Sequence, residues 1–340
     1  PTSPSNQQLI LDGHKLAWHQ DRVNAWLRGE RIAPITIDCA LTRRCTYQCV
    51  YCYGALQAND EKRLTRDVIF RFLDDAAEIG VKAVSFVSDG ESTCNPYLYD
   101  AIGRGKANGL DMALGTNGYL LKERRLPEIL PALTYLRFNI TAGAPKRYAE
   151  IHGCDEACYH KVVGTIRQCV ALKRAGRLPV TLGLQMVLMP EFADQILPLA
   201  ALGRELGVDY LVIKHCSDDE EHRLGIKYDQ YFALDGLLKQ AEALSTPDYL
   251  VKVKWSKILS GGNRCTLSFW HAYDFTTPSD FDIFHAGEVL LLTDNALEPI
   301  SLGVFSDEVV DWEPVEVDLS AYTGRIVYIA WHYFLFSRLQ

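Results

Sequence analysis

Short apolar runs alternate with segments of helical periodicity along residues 34–216. The runs are rich in β-branched residues and are bounded by glycine and polar residues, a pattern that predicts buried strands. Six strands are predicted, within residues 34–40, 82–88, 110–116, 133–141, 178–189 and 208–216. Apolar residues at helical spacing predict the intervening helices, at 64–80, 96–109, 159–176 and 192–207. Strands that alternate with helices indicate βαβ units and a parallel sheet, so the predicted fold class is α/β.

The pattern changes on either side of this region. Residues 1–33 are an N-terminal extension with one predicted helix, at 21–30. Residues 217–340 begin with an acidic stretch and a predicted helix at 228–245, and they continue with β-rich segments. We therefore expect three regions: the helical extension 1–33, the α/β region 34–216, and a small α+β appendage at 217–340.

Composition and charge exclude several classes of function. The chain is 48% hydrophobic and 23% charged, and its net charge of −8 comes from acids and bases mixed along the sequence. A nucleic-acid-binding protein would instead carry a clustered basic face. Residues 1–15 lack the pattern of a secretory signal, and the longest apolar run has roughly half of the about 20 residues that a membrane span needs. We expect a cytoplasmic protein without nucleic-acid or membrane partners.

Three of the ten cysteines form a cluster in the sequence. Cys45, Cys49 and Cys52 follow the first predicted strand, and α/β proteins place their chemistry at the C-terminal ends of parallel strands. Zinc sites usually have four protein ligands, whereas the spacing C-x3-C-x2-C has no fourth cysteine or histidine nearby. Three thiolates can bind three irons of a cubane and leave the fourth iron open to an outside ligand. A buried turn with small apolar thiols is the alternative.

The segment RRCTYQCVYCYG resembles the motif C-x3-C-x-aromatic-C of the radical S-adenosylmethionine (SAM) enzymes, with Cys45, Cys49, Tyr51 and Cys52 at the matching positions. The resemblance implies a partial (β/α)6 barrel over residues 34–216. It also implies that the three cysteines hold a [4Fe–4S] cluster whose fourth iron is chelated by SAM. In this family the reduced cluster cleaves SAM to a 5′-deoxyadenosyl radical, which abstracts a hydrogen atom from the substrate. An external electron donor such as flavodoxin or ferredoxin is therefore implied as well.

A second motif follows the next predicted strand. The segment VSDGEST resembles the glycine-glycine-glutamate type of motif with which the family holds the amino group of SAM, except that Ser88 replaces the first glycine. Gly90 would let the backbone approach the ligand closely, and Glu91 offers a charge-assisted acceptor to an ammonium group. The resemblance assigns this part of the SAM site to Asp89, Gly90, Glu91 and Ser92.

Residues near the ends of later strands extend the SAM site. The segment GTNGY, with Thr116 and Asn117, resembles the part of the family's site that lies along the adenosine. Asn139 and Thr141 stand where the family commonly has Ser-x-Asp in contact with the ribose or carboxylate of SAM, and both are uncharged here. Gln185, in the fifth predicted strand, is expected to point into the barrel.

The C-terminal region resembles the twitch or SPASM appendage of many such enzymes, which holds further iron–sulfur clusters. After Cys216, however, Cys265 is the one cysteine left in these residues, and a cluster needs three or four thiolates. We therefore expect a degenerate appendage without an auxiliary cluster. This favours a redox-neutral reaction, such as decarboxylation, elimination or epimerisation. Cys216 and Cys265 are the thiols best placed to return a hydrogen atom to the substrate.

The substrate is less closely defined by the sequence. Lys214 and His215, at the end of the sixth predicted strand, are candidates for holding it, and alternation along the strand lets only one of them face inward. The N-terminal part resembles radical SAM proteins of sugar, nucleoside and natural-product pathways, which implies a small polar substrate. A peptide-modifying radical SAM enzyme is the second hypothesis. A non-catalytic iron–sulfur or zinc-binding protein is the alternative from another class.

Overall fold

The computed structural model describes residues 19–52, 62–87, 89–218, 221–254, 266–274, 283–293, 300–305, 308–322 and 327–337. The α-helices are α1 (Gln20–Leu27), α2 (Arg66–Glu78), α3 (Leu98–Ala107), α4 (Leu126–Ile129), α5 (Pro145–His152), α6 (Glu156–Gly176), α7 (Ile196–Leu206) and α8 (Asp235–Glu242). The strands are β1 (Thr36–Cys39), β2 (Ala83–Phe86), β3 (Asp111–Thr116), β4 (Leu133–Asn139), β5 (Thr181–Leu188), β6 (Tyr210–His215), β7 (Leu250–Lys254), β8 (Thr266–Asp274), β9 (Ile283–Thr293), β10 (Ile300–Phe305), β11 (Glu308–Asp318) and β12 (Val327–Ser337). Among these helices, none combines the length and the apolarity that crossing a bilayer requires.

Strands β1 to β7 form one parallel sheet whose spatial order is the chain order. Open, doubly wound sheets reverse their strand order at a switch point, whereas the strands of a (β/α) barrel follow one another without reversal. The sheet therefore has barrel-type topology, and the predicted α/β class is confirmed. Strand β7, from a segment that the sequence grouped with the C-terminal appendage, pairs with β6 and extends the sheet beyond the six predicted strands.

The two faces of this sheet differ in chemistry. One face is apolar and fully buried, with Leu114 beside Leu136, and Leu136 beside Leu182, on neighbouring strands. Helix α3 covers it, because a side chain added at Gly105 would overlap that of Met112, which lies on the apolar face. The opposite face, which we call the polar face, carries the alternate residues, including the neighbours Asn139 and Gln185.

Helix α5 lies between the predicted strand 133–141 and the predicted helix 159–176, in a segment for which no helix was predicted. It begins at Pro145, whose fixed φ and missing N–H suit the first helical position. It ends at Gly153, which adopts the left-handed conformation (φ +60°) typical of a residue just past a helix. The helix lies directly after the end of β4, so its C-terminus belongs to the edge of the sheet where the cysteine cluster was predicted.

The described residues fall into two compact units. The first contains the parallel sheet, its helices and α8, and it ends at Lys254. The second consists of antiparallel strands, with β9 between β10 and β12, and with β8 paired to β11. Its small core contains Val289, Leu291 and Leu319. Cys265 and the residues around it lie outside the described residues.

Candidate functional site

The three clustered cysteines lie on the loop that leaves the C-terminal end of β1, here called the cysteine loop (residues 40–52). All three are half-buried. Burial raises the pKa of Cys45 and of Cys49, and the nearby Cys52 thiol acts in the same direction on both. Within the described ranges, no three acidic, histidine or cysteine side chains converge as a metal site would require.

The C-terminal end of helix α5 holds the cysteine loop through backbone hydrogen bonds. The backbone N–H of Gln48 donates to the carbonyl of His152 (3.1 Å), and that of Val50 donates to the carbonyl of Ile151 (3.0 Å). These carbonyls end a helix and have no partner within it, so the loop satisfies them. A Cβ at Gly153 would lie 2.6 Å from the carbonyl oxygen of Gln48, so glycine lets the loop and the helix end touch.

His152 places a ring nitrogen 3.1 Å from the Cys49 sulfur. Its other nitrogen, Nε2, accepts a hydrogen bond from the backbone N–H of Thr141 (3.1 Å). Burial lowers the pKa of His152 to about 3, so the ring is neutral and carries one proton. Because Nε2 is an acceptor, that proton is on Nδ1, and Nδ1–H donates to the sulfur. No sequence pattern indicates His152, because it lies 103 residues from Cys49.

Aromatic rings surround His152. The centroid of the imidazole ring is 4.3 Å from the ring centroid of Tyr148, 5.7 Å from that of Tyr47 and 5.9 Å from that of Tyr51. Tyr51, the aromatic residue of the sequence motif, also contacts Phe192. Burial raises the pKa of Tyr51 well above its ordinary value, with the Cys49 thiol adding to the effect. The rings exclude water from the His152–Cys49 hydrogen bond.

Glu91 is buried, with 4% of its surface exposed, and its carboxylate is held by protein donors. Oε1 accepts from the N–H (3.0 Å) and the hydroxyl (2.7 Å) of Thr93 and from the hydroxyl of Thr116 (2.6 Å). Oε2 accepts from the backbone N–H of Asn117 (2.7 Å). Three of these bonds go to Oε1 and one to Oε2, so Oε2 keeps an acceptor position for a further donor. Glu91 thus connects the end of β2 to the end of β3, and its contact with the amino group of SAM stays a prediction.

Asn117 connects this carboxylate to the cysteine loop. Its side-chain amide donates to the Thr46 hydroxyl (3.0 Å) and lies 3.9 Å from the Cys45 sulfur. The backbone N–H of Glu91 donates to the carbonyl of Arg44 (2.8 Å), a second tie between the two motifs. The motifs after β1, β2 and β3 therefore form one hydrogen-bonded assembly.

Gly90 has a structural role in the fold, and the close approach of SAM to it stays a prediction. It adopts φ +65°, and a Cβ there would lie 2.3 Å from the carbonyl oxygen of Thr42 and 2.8 Å from that of Arg44. The backbone of the cysteine loop therefore approaches Gly90 closely.

Alanine at Gly90 should lower the free energy of unfolding by roughly 2–5 kcal/mol, because it adds left-handed strain and a clash with the loop. Gly109 is a matched control, since it has φ +81° and open space where its Cβ would be. Gly109→Ala should therefore cost only the strain, about 1–2 kcal/mol. Urea denaturation measures both losses, and equal losses would show that the contact with the loop is unimportant.

Of the other residues inferred for SAM binding, some are half-buried or lie on the polar face, and the others are buried. Asp89 is half-buried beside Gly90, and Gln185 donates to the Asn139 side chain (3.2 Å) on the polar face. Ser92, like Thr116 and Thr141, is buried. Thr141 is held inside the protein, because its hydroxyl accepts from the N–H of Val187 (3.3 Å). Its contribution to the site is to orient His152.

The end of β6 resolves the choice between Lys214 and His215. Lys214 pairs with Lys254 on the polar face and is exposed, whereas His215 pairs with Leu188 on the apolar face. His215 is therefore not placed to hold a substrate on the polar face. The Cys216 thiol is 2% exposed and donates to the carbonyls of Tyr51 (3.9 Å) and Ser217 (3.6 Å). Burial raises its pKa to about 12, and its role as a hydrogen donor to the substrate stays a prediction.

Comparison with known proteins gives a family and several relatives. Residues 40–202 match the Radical SAM superfamily. A tungsten-containing aldehyde ferredoxin oxidoreductase cofactor-modifying protein of Pyrococcus furiosus is 24% identical over 179 residues, which are 52% of this chain and 49% of that protein. A GTP 3′,8-cyclase of Synechococcus is 26% identical over 245 residues, 65% of this chain and 66% of that protein. An AdoMet-dependent heme synthase of Methanosarcina barkeri is 36% identical over 102 residues, 30% of this chain and 28% of that protein.

A solved structure shares the fold. Streptococcus suis SuiB bound to S-adenosylmethionine is similar with a TM-score of 0.55 and 16% identity, over 73% of this chain and 57% of that chain. Identity this low compares the folds alone. The chain spans less than two thirds of the length of each of the three relatives named above. The similarity therefore does not show that this chain has their activities.

Proposed function

Residues 40–202 belong to the radical SAM superfamily, and from this premise we propose that Cys45, Cys49 and Cys52 hold a [4Fe–4S] cluster in this chain. SAM is held beside it by the ends of β2 to β5. The observation that carries the proposal is the path of hydrogen bonds from Glu91 through Asn117 towards Cys45, because it joins the two sequence motifs into one site.

The donors around the cysteine loop suit such a cluster. His152 directs an N–H at the Cys49 sulfur, and the Asn117 amide lies near the Cys45 sulfur. N–H groups that donate to cysteinyl sulfur stabilise the thiolate form that ligates metals. Three thiols without a fourth ligand in the loop fit a cluster with one iron open to SAM.

When bound, the cluster and SAM supply a 5′-deoxyadenosyl radical that abstracts a hydrogen atom from the substrate. The protein's own contribution is to hold and orient the reactants. Helix α5 fixes the position of the cysteine loop through backbone hydrogen bonds. Arg147 of α5 in turn donates a hydrogen bond from Nε to the carboxylate of Asp194 (2.8 Å). The Tyr51 ring covers the His152–Cys49 bond, and the polar face of the sheet receives the substrate.

We place the reaction among the redox-neutral ones: a lyase or epimerase acting on a small polar substrate such as a sugar, a nucleoside or a natural-product intermediate. An external donor such as flavodoxin or ferredoxin supplies the electron. One support is that Cys265 is the sole cysteine after Cys216 in the sequence, too few for a second cluster. Another is that the names of the three relatives refer to GTP, heme and a cofactor rather than to peptides.

Metal and sulfide analysis of protein reconstituted under anaerobic conditions tests the proposed site against the zinc-binding alternative. We expect about four irons and four sulfides per chain, as one cubane requires. One zinc without sulfide would refute the proposal in favour of a structural zinc protein. An iron content near eight would refute the single-cluster arrangement and the redox-neutral reaction inferred from it.

Phenylalanine at His152 should shift the midpoint potential of the cluster to more negative values. The lost N–H donor no longer stabilises the reduced cluster, which carries more negative charge on its sulfurs. An EPR-monitored redox titration measures the shift, with His160→Phe on the exposed surface of α6 as the control. His152→Asn, which retains a donor on the side of Cys49, should restore part of the shift. An unchanged potential in an iron-replete His152→Phe protein would contradict the hydrogen bond.

A further inference from the structure

Arg137 lies in the middle of β4, with its side chain on the polar face of the sheet. The sheet register places Gly115 of β3 on one side of it and Gly183 of β5 on the other. The guanidinium nitrogen Nη2 is 3.4 Å from the place where a Cβ of Gly115 would be. The guanidinium group therefore occupies the space that this glycine leaves open, and neither neighbour in the register has a side chain that could pair with it.

Tyr210 of β6 approaches Arg137 from the other side. It is the register partner of Gly183, and the tip of its ring would lie 2.0 Å from a Cβ of that glycine. The ring thus lies over β5, next to Arg137 in the register. Burial raises the pKa of Tyr210 to about 12, and the positive charge of Arg137 acts in the opposite direction, so the two groups are close enough to interact.

The guanidinium group of Arg137 is half-buried, and its side chain forms no hydrogen bond or ion pair with the part of the chain that the structure describes. Its Nε atom is buried without a partner there. Strands β4 and β5 contain no aspartate or glutamate. A charge withdrawn from water without a partner costs free energy, and buried donors without partners are few in native proteins. Residues that cost stability are typical of functional sites.

We propose that Arg137 binds a carboxylate or phosphate group of the substrate, with the Tyr210 ring bounding the site on the side of β6. That the ligand is the substrate rests on the proposed function; the anion site itself rests on the surroundings of Arg137. Guanidinium groups bind both kinds of anion through paired N–H donors.

The position of Arg137 along β4 separates this anion from SAM. Asn139, which the sequence assigns to SAM, lies two residues nearer the end of the strand on the same face, where it pairs with Gln185 of β5. Arg137 is therefore one step deeper in the sheet than the residues inferred for SAM. An anionic group held there would keep the substrate beside SAM without occupying its site.

Isothermal titration calorimetry of the reconstituted protein tests the site with two probes, succinate and inorganic phosphate, in the presence and absence of saturating SAM. With SAM bound, at least one probe should bind saturably, with a dissociation constant on the order of 1 mM or lower. The tighter probe identifies the group. Arg137→Met should weaken its binding about 10-fold or more, the effect of losing one charge-assisted hydrogen bond.

Two further variants control for the charge and for the substitution. Arg137→Lys keeps the positive charge without the paired donors, and its affinity for the probe should lie between those of Arg137→Met and the wild type. Arg124→Met, which removes an arginine from the exposed surface, should bind the probe like the wild type.

Urea denaturation of the same variants needs no ligand. Because Arg137→Met removes a half-buried charge that has no partner among the described residues, its urea midpoint should equal or exceed that of the wild type. A clearly lower midpoint would mean that the fold itself uses this charge, and it would overturn the proposal.

Three binding results would also overturn it: no saturable binding of either probe, equal affinity in Arg137→Met and the wild type, or binding only when SAM is omitted. These results are separable from the proposed function. A protein that forms 5′-deoxyadenosine from SAM but binds neither probe keeps the radical reaction and loses the anion site. A protein that binds a probe through Arg137 but never cleaves SAM keeps the anion site and loses the radical reaction.

Discussion

Alanine at Cys45, Cys49 or Cys52 should abolish the visible absorption of the reconstituted protein, and SAM cleavage should disappear with it. Each thiolate holds one iron of the proposed cubane, so no substitution of a single cysteine leaves a stable cluster. Bound iron should fall from about four per chain to near zero in all three variants. Iron analysis and absorption spectra after anaerobic reconstitution measure this loss.

Cys39→Ala is the matched control for these variants. Cys39 ends β1, six positions before Cys45, and is half-buried like the three loop cysteines. Its sulfur is close only to the neighbouring Ala40 carbonyl in the bonds described (3.9 Å), so its removal should leave the iron content unchanged. Full iron content in any of the loop variants would remove that cysteine from the site. Loss of iron in Cys39→Ala would mean that the loop tolerates no change nearby, and the assignment would then lack its control.

Glutamine at Glu91 should lower both the stability of the protein and its affinity for SAM. The amide oxygen accepts at most two of the four donors that Glu91 holds, so about two buried donors lose their partners. At 1–3 kcal/mol each, the free energy of unfolding should fall by about 2–6 kcal/mol. Because Asn117 is one of these donors and also contacts the cysteine loop, the loss extends to the loop and to the SAM site.

Denaturant unfolding and SAM-binding measurements on the same protein separate two roles of Glu91. Glu123→Gln, an exposed change of the same kind, should alter stability by no more than about 0.5 kcal/mol. If Glu91→Gln keeps wild-type stability but binds SAM 10- to 150-fold more weakly, the range of about 1.5–3 kcal/mol for one charged hydrogen bond, then the carboxylate contacts SAM directly. That result would contradict the positioning role and support the direct contact with SAM that the sequence predicts.

The position of the cysteine cluster in the fold was predictable from sequence, because it depends on local patterns. Alternating strands and helices imply a parallel sheet, and a loop after the first strand must then lie at the C-terminal edge. Local patterns also explain why the segment of β7 was grouped with the C-terminal appendage and not with the parallel sheet. Its alternating lysines are typical of a separate strand with one solvent-exposed face. Only its pairing with β6 shows that this face belongs to the polar face of the parallel sheet.

The hydrogen-bonded surroundings of the cysteines were not predictable from these patterns. His152 contacts Cys49 because α5 ends beneath the loop, and nothing in the spacing of the two residues encodes a contact over 103 positions. Gly90 and Glu91 were recognised as a motif, but their partners are protein atoms contributed by two other loops. A motif indicates which residues share a site, whereas the role of each residue depends on its tertiary contacts.

The central claim, that this chain cleaves SAM by radical chemistry at the cysteine loop, is tested most directly by incubating the reconstituted protein anaerobically with SAM and dithionite. The product 5′-deoxyadenosine is quantified by liquid chromatography and mass spectrometry. We predict that the wild type forms it only when the reductant is present, and that Cys49→Ala forms none. A protein with about four irons per chain that forms no more 5′-deoxyadenosine than Cys49→Ala would contradict the claim.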